Sequence, residues 1–154
     1  MKSIGFTGHR ILPKDPALAE KLSAQLEQLI AEGATDFYAG GAIGWDMLCE
    51  NTVLRLREKH PHIRLHLVLP CPPEEQTARW NSPLITMYNS ILEKADSVEI
   101  VSPHYCDNCM KTRNLRLVTL SECIVCYCSS FRSGTAQTIR MAQSKDVRVI
   151  HLSL

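Results

Sequence analysis

No stretch of this 154-residue chain stays apolar long enough to cross a bilayer, and its opening residues contain no apolar leader run. A helical span needs about 20 apolar residues in succession, so the expectation is a cytoplasmic protein with no membrane partner. An excess of charge of either sign is also absent. Lys+Arg 17 against Asp+Glu 16 leaves a net charge of +1, which excludes a general polyanion surface but allows a local basic cleft. Aromatic residues are only 6% of the chain, and no basic, aromatic-rich stripe of the kind that tracks single strands is legible. Nucleic acid is therefore not the expected partner. Repeats, low-complexity tracts and long linkers are missing too, which predicts one domain over 1–154, long enough to bury a core without disulfide staples.

What is present alternates. Ile4 and Phe6 lie in a short apolar run that breaks at Thr7-Gly8-His9-Arg10. Asp15-Pro16 then reads as an N-cap and a first helical residue, Leu18, Leu22, Leu26 and Leu29 recur at helical spacing, and Gly33 is the stop. Asp36–Ala39 reads as a strand, Asp46–Lys59 as a helix and Arg64–Leu69 as a strand ending at Pro70-Cys71-Pro72-Pro73. Ser82-Pro83 is read as the cap of a helix whose Leu84, Met87, Tyr88, Ile91, Leu92 and Ala95 form an apolar stripe. Ser97–Val101 is a short strand, Cys106–Asn114 a polar loop, and a helix follows around Leu115–Leu120. Cys123–Cys128 is apolar throughout and so a central strand; Ser129–Gly134 is its exit loop, Thr135–Gln143 a helix and Val147–Leu152 the last strand. Strands alternating with helices predict an α/β, Rossmann-like, doubly wound and mostly parallel sheet of about six strands. Right-handed crossovers give the order 4-3-2-1-5-6 with helices on both faces.

In that order the loops after the first and fifth strands meet at a switch point, a favoured ligand position. The first carries Thr7, Gly8, His9 and Arg10, whose guanidinium can fork onto phosphate or carboxylate. The fifth carries Ser133, Gly134 and Thr135. One strand away, Gly40-Gly41-x-x-Gly44 follows a strand and opens a helix, the context of a phosphate cradle. Gly8, Gly41 and Gly134 are therefore expected to serve one shared site. Asp46 is either a dipole partner for its helix or a contact to sugar hydroxyls or a metal; Trp45 is either core or a base-stacking ring. Arg113 and Asn114, read as loop residues before a helix, can reach the same edge, although a solvated arginine is the plain alternative. The glycine spacing is not that of a dinucleotide fold, and no acid closes the second strand, so nicotinamide chemistry is not expected.

The seven cysteines form no evident framework and read as reduced core or site residues. Cys106-x2-Cys109 and Cys123-x2-Cys126 have zinc-like spacing. The second pair lies in a strand, however, where residues three apart face opposite sides, and no structural metal is expected. No paired carboxylates or serine–histidine arrangement is legible as a catalytic centre.

With these loops in view, the chain resembles the YpsA-like branch of the SLOG superfamily, relatives of the LOG nucleotide phosphoribohydrolases and the Smf/DprA DNA-processing proteins. FTGHR at 6–10, GGAIGWD at 40–46, LPCPPEEQTARW at 69–80, ILEKADSV at 91–98, CMKTRN at 109–114 and SGTAQTIRMA at 133–142 carry the resemblance nearly end to end. It implies a nucleotide or nucleotide-derived small molecule in the glycine-lined cleft and fixes no reaction. The phosphoribohydrolases are marked by PGGxGTxxE with an essential glutamate; here FRSGTAQTI stands in its place, and Gln137 and Thr138 sit near the expected acid. The favoured reading is a cytoplasmic binding or sensing module with no certain cofactor and no assigned catalytic residue. The runner-up is a nucleotide-cleaving hydrolase, with Asp46 or Glu50 as substitute acids, and single-stranded DNA handling is third. Ligand identity stays open at this level, as does a homo-oligomer.

Overall fold

β1 (Ser3–Gly8) places Ile4 and Phe6 at full burial in the middle of the sheet. The computed structural model describes residues 1–130 and 132–154; Phe131, within the expected exit loop, lies outside them. After β1, Asp15 accepts the Ala17 N–H at 2.9 Å, which caps α1 (Pro16–Ala31). Leu18, Leu22, Leu26 and Leu29 are the buried stripe of that helix. Then follow β2 (Asp36–Ala39), α2 (Trp45–Lys59), β3 (Arg64–Leu69), the single turn α3 (Pro73–Gln76), α4 (Ser82–Lys94), β4 (Ser97–Ile100), α5 (Cys109–Leu120), β5 (Cys123–Tyr127), α6 (Gly134–Ser144) and β6 (Arg148–His151).

The six strands form one parallel sheet in the order β4-β3-β2-β1-β5-β6, as the alternation requires. β1 pairs with β2 only over Ser3–Gly5 but with β5 over Ile4–Gly8, so Thr7 lies opposite Cys126 and Gly8 opposite Tyr127. The chain winds to β2, β3 and β4 on one side of β1 and to β5 and β6 on the other. The loops leaving β1 and β5 therefore emerge side by side. Along β5 the side chains alternate between two cores. Cys123 and Val125 join the larger cluster with Leu22, Phe37, Trp45 and Tyr88; Ile124 and Cys126 join the smaller one with Val118, Ile139 and Ala142. Cys123 and Cys126 thus point to opposite faces of the sheet.

The differences from expectation are local. The residue capping α4 is Asn81, whose side chain accepts the Leu84 N–H at 3.1 Å; Ser82 is already the first helical residue. Met87 of the predicted stripe is 44% exposed, at the margin of the buried face. α3 falls in what reads as an irregular stretch. The largest difference is α5, which begins at Cys109 and not near Leu115. Its inward face is Cys109, Arg113 and Leu117, each buried and four residues apart, and an arginine in the middle of that stripe hides the helical period. Arg113 and Asn114 are helical residues, and Arg113 is not solvated.

Candidate functional site

The C-terminal end of β1 is shaped by the turn that follows β2. A Cβ on Gly8 would run into the Trp45 indole, and one on Gly44 into the carbonyls of His9 and Arg10. Gly44 also has φ +79°, a region that L side chains rarely adopt. The Trp45 amide donates to the His9 carbonyl at 3.0 Å, and the indole Nε1 donates to the Val125 carbonyl at 3.4 Å. Fully buried, Trp45 is a core residue that pins the first loop from behind, not a stacking surface. From the other side, Ser129 N–H donates to His9 Nε2 at 2.7 Å, joining the β1 and β5 loops directly.

These loops enclose a cleft of about 330 Å³. Of the residues singled out from the sequence, Thr7, Gly8, His9, Arg10, Asp46, Arg113, Asn114, Ser133, Gly134 and Thr135 line it, together with Phe6, Ala42, Met110 and Leu117. Gly40, Gly41 and Gly44 stand behind its wall. A Cβ on Gly40 would meet the Arg113 guanidinium and the Asp46 carboxylate, and one on Gly41 would lie 2.6 Å from Leu69 Cδ2. The glycine turn therefore makes room for other side chains instead of offering a bare cradle. Gly134 is the contrast: a Cβ there would meet nothing within 4 Å. Ser133, read as a ligand hydroxyl, is engaged as the N-cap of α6, accepting the Ala136 N–H at 3.0 Å and donating to the Ser130 carbonyl at 3.1 Å. Thr135 is buried, and Ser133, Gly134 and Thr135 bring the N-terminal end of α6 to the cleft, where the helix dipole favours an anion.

The floor is ionic and almost closed to solvent. Arg113, 6% exposed, donates through Nη1 to the Gly40 carbonyl and through Nε to Asn114 Oδ1 at 2.8 Å. Asp46 accepts the Ala42 N–H at 3.1 Å; one helical turn later, Glu50 accepts the Gly41 N–H at 3.1 Å. Burial raises the pKa of both carboxyls, and the Asp46 charge raises that of Glu50 further. Arg113 and the turn amides oppose the rise at both acids, and the Arg10 charge opposes it further at Asp46, which stays nearer its ordinary range. Glu50 is driven well above the usual carboxylate value. The Arg113 charge bears most on Asp46, and Glu50 is the acid that burial shifts further. Burial also lowers the pKa of Arg113, against the pull of Asp46, and a guanidinium stays charged through such a shift.

At the rim, Arg10 is exposed and neither it nor Arg79 has an ion-pair partner among the described residues. Past Arg10, Ala42 and Met110, which line both, the cleft continues into a second cavity of about 530 Å³ bounded by Glu75, Gln76, Ala78, Arg79, Trp80 and Tyr105. Sequence reasoning passed over these residues. The signal was the Arg79-Trp80 pair closing the proline-rich segment after β3, a cation and a ring in a stretch with no packing period. Among the described residues no group of three or more His, Cys, Asp and Glu side chains is placed to hold a metal ion, and no helix is long and apolar enough to cross a membrane.

The profile of the YspA SLOG family (YpsA) matches residues 12–149. The chain belongs to that family. Among curated relatives, the SPbeta prophage-derived protein YoqJ of Bacillus subtilis is 30% identical over 141 residues, covering 82% of this chain and 80% of YoqJ. UPF0398 protein BH1768 of Halalkalibacterium halodurans is 27% identical over 135 residues, covering 82% of this chain and 70% of BH1768. Among solved structures, DNA processing protein A of Helicobacter pylori, described for its single-stranded DNA binding mode, superposes with a TM-score of 0.69 at 18% identity. That match covers 99% of this chain but 66% of the longer protein, and at such identity it is a likeness of fold. The segments singled out in the sequence meet at the cleft: FTGHR and SGT supply its two side-by-side loops, and the GGxxGxD turn contributes Asp46 to its floor.

Proposed function

We propose that this SLOG protein is a binding or sensing module for a nucleotide or nucleotide-derived small molecule, held in the cleft between the β1 and β5 loops. The observation that carries the reading is Arg10: an exposed guanidinium without an ion-pair partner among the described residues, at the mouth of a polar cleft that also receives the N-terminus of α6. Both favour an anion, and a guanidinium adds the planar fork that suits phosphate. Asp46, Asn114 and Thr7 offer acceptors and donors of the kind that read ribose hydroxyls.

Hydrolysis is the less supported alternative. Near the position where the phosphoribohydrolases carry their glutamate, Thr138 is fully buried and donates to the Gly134 carbonyl at 2.9 Å. Glu50 faces Gly41 and is 1% exposed. A site that holds substrate and transition state equally well does not accelerate chemistry. Native mass spectrometry of the purified protein tests the reading: a retained nucleotide mass, lost in Arg10→Ala, supports it. A panel of nucleoside monophosphates and dinucleotides, separated by chromatography after incubation, tests the alternative. Multiple turnovers abolished by Asp46→Asn would make the protein an enzyme.

A further inference from the structure

The second cavity has a different chemistry from the first. Trp80 is half-buried and its ring is held at right angles to Tyr88, centroids 5.3 Å apart. Tyr88 in turn donates to Gln76 Oε1 at 2.8 Å, so that the amide nitrogen is the donor end of Gln76. Tyr105 is 61% exposed, yet its backbone N–H is tied to Glu75 Oε1 at 3.1 Å, and the other Glu75 oxygen lies 3.4 Å from His104 Nδ1. A large exposed ring and a half-buried one thus line the same cavity. Arg79 stands beside them without an ion-pair partner among the described residues.

We propose that this second cavity is the base subsite of a nucleotide whose phosphoribosyl part occupies the first, with Arg10 at the junction. The inference rests on the nucleotide reading above and extends it by assigning the heteroaromatic end. Three features carry it. The cavities adjoin, sharing Arg10, Ala42 and Met110 in their linings, within reach of one ligand. The first is lined by hydroxyls, the α6 N-terminus and the Asp46–Arg113 floor, which suit phosphate and sugar. The second is lined by two indole or phenol rings, a stacking-competent guanidinium and an amide donor, which suit a flat base with acceptors on its edge. Together their volumes fall within the range of small-molecule sites, about 300–1,000 Å³.

The test compares ribose 5-phosphate with AMP, GMP, CMP and UMP by ligand-observed NMR and calorimetry on the intact protein. At least one monophosphate is expected to bind about 10-fold or more tighter than ribose 5-phosphate, the scale of one stacked base, and to quench Trp80 fluorescence. Tyr105→Ala, at an exposed ring, and Trp80→Ala should each erase most of that advantage while leaving ribose 5-phosphate binding unchanged. Trp80→Phe should recover part of it, which separates lost stacking from lost folding. If ribose 5-phosphate binds in an Arg10-dependent way and no base adds affinity, or if the base advantage survives both ring deletions, the subsite is overturned and the nucleotide reading stands. If neither class of probe binds, both fall together.

Discussion

The floor and the rim of the cleft use arginine in opposite ways. On the floor, Arg113 is buried, bonded to the Gly40 carbonyl and Asn114, and balanced by Asp46. At the rim, Arg10 is exposed and has no ion-pair partner among the described residues. A buried guanidinium that lost its carboxylate would be costly, so the floor is committed to the fold. An exposed one costs little to leave unpaired, so the rim can spend its charge on a ligand. Floor substitutions should therefore appear in stability, and rim substitutions in binding.

The largest expected effect is on the floor. Arg113→Ala removes the balance of a buried carboxylate and leaves the Gly40 carbonyl without that donor, and should cost about 3–5 kcal/mol of unfolding free energy. Urea denaturation measures it; a loss below 1 kcal/mol would mean that the floor is not an obligate charge pair. Next is the turn behind it. Gly41 has φ +74° and closely approaches Leu69, so Gly41→Val should destabilise by about 1–3 kcal/mol from backbone strain alone, with added overpacking. Full stability accompanied by lost ligand binding would instead return Gly41 to the ligand-contacting wall.

A smaller effect separates the two buried acids. Glu50 keeps its proton in the folded protein at pH values where the unfolded chain, with a carboxyl near 4.5, has released it. The native state then binds more protons than the unfolded state, so stability falls as pH rises above about 4.5 toward the native pKa. Glu27, Glu99 and Glu122, whose values are lowered, lose their contributions only below that point. Glu50→Gln, which imitates the protonated acid, should flatten the decline above about pH 5 while changing stability at pH 5 by less than about 1 kcal/mol. An unchanged slope would assign the proton elsewhere.

The sheet order was legible because turn residues punctuate each element: Asp15-Pro16 opens α1, Gly33 closes it, and the apolar run at 123–127 can only be central. The meeting of the β1 and β5 loops followed from that order. The floor was not legible. In the sequence Glu50 stands out only as a substitute acid and Arg113 as a loop cation, since a polar residue on an inward face breaks the period that marks that face. Only the shape of Gly40, with no side chain to occupy the space taken by the Arg113 guanidinium, explains why the turn needs glycine there. The second cavity was illegible for another reason. Trp80 and Tyr105 come from two irregular segments 25 residues apart, and nothing periodic relates them.

The central claim is that Arg10 contributes to ligand affinity and not to the fold. Calorimetric titration of the parent, Arg10→Ala and Arg10→Lys with a nucleoside monophosphate that the parent binds, alongside urea denaturation of each, tests it directly. Arg10→Ala should weaken binding by about 1.5–3 kcal/mol, the range of a hydrogen bond to a charged group, and Arg10→Lys should recover only part, lacking the fork. Unfolding free energies should agree within about 0.5 kcal/mol, as for a surface substitution. Equal affinities in all three proteins, or a binding loss matched by a loss of stability, would contradict the account.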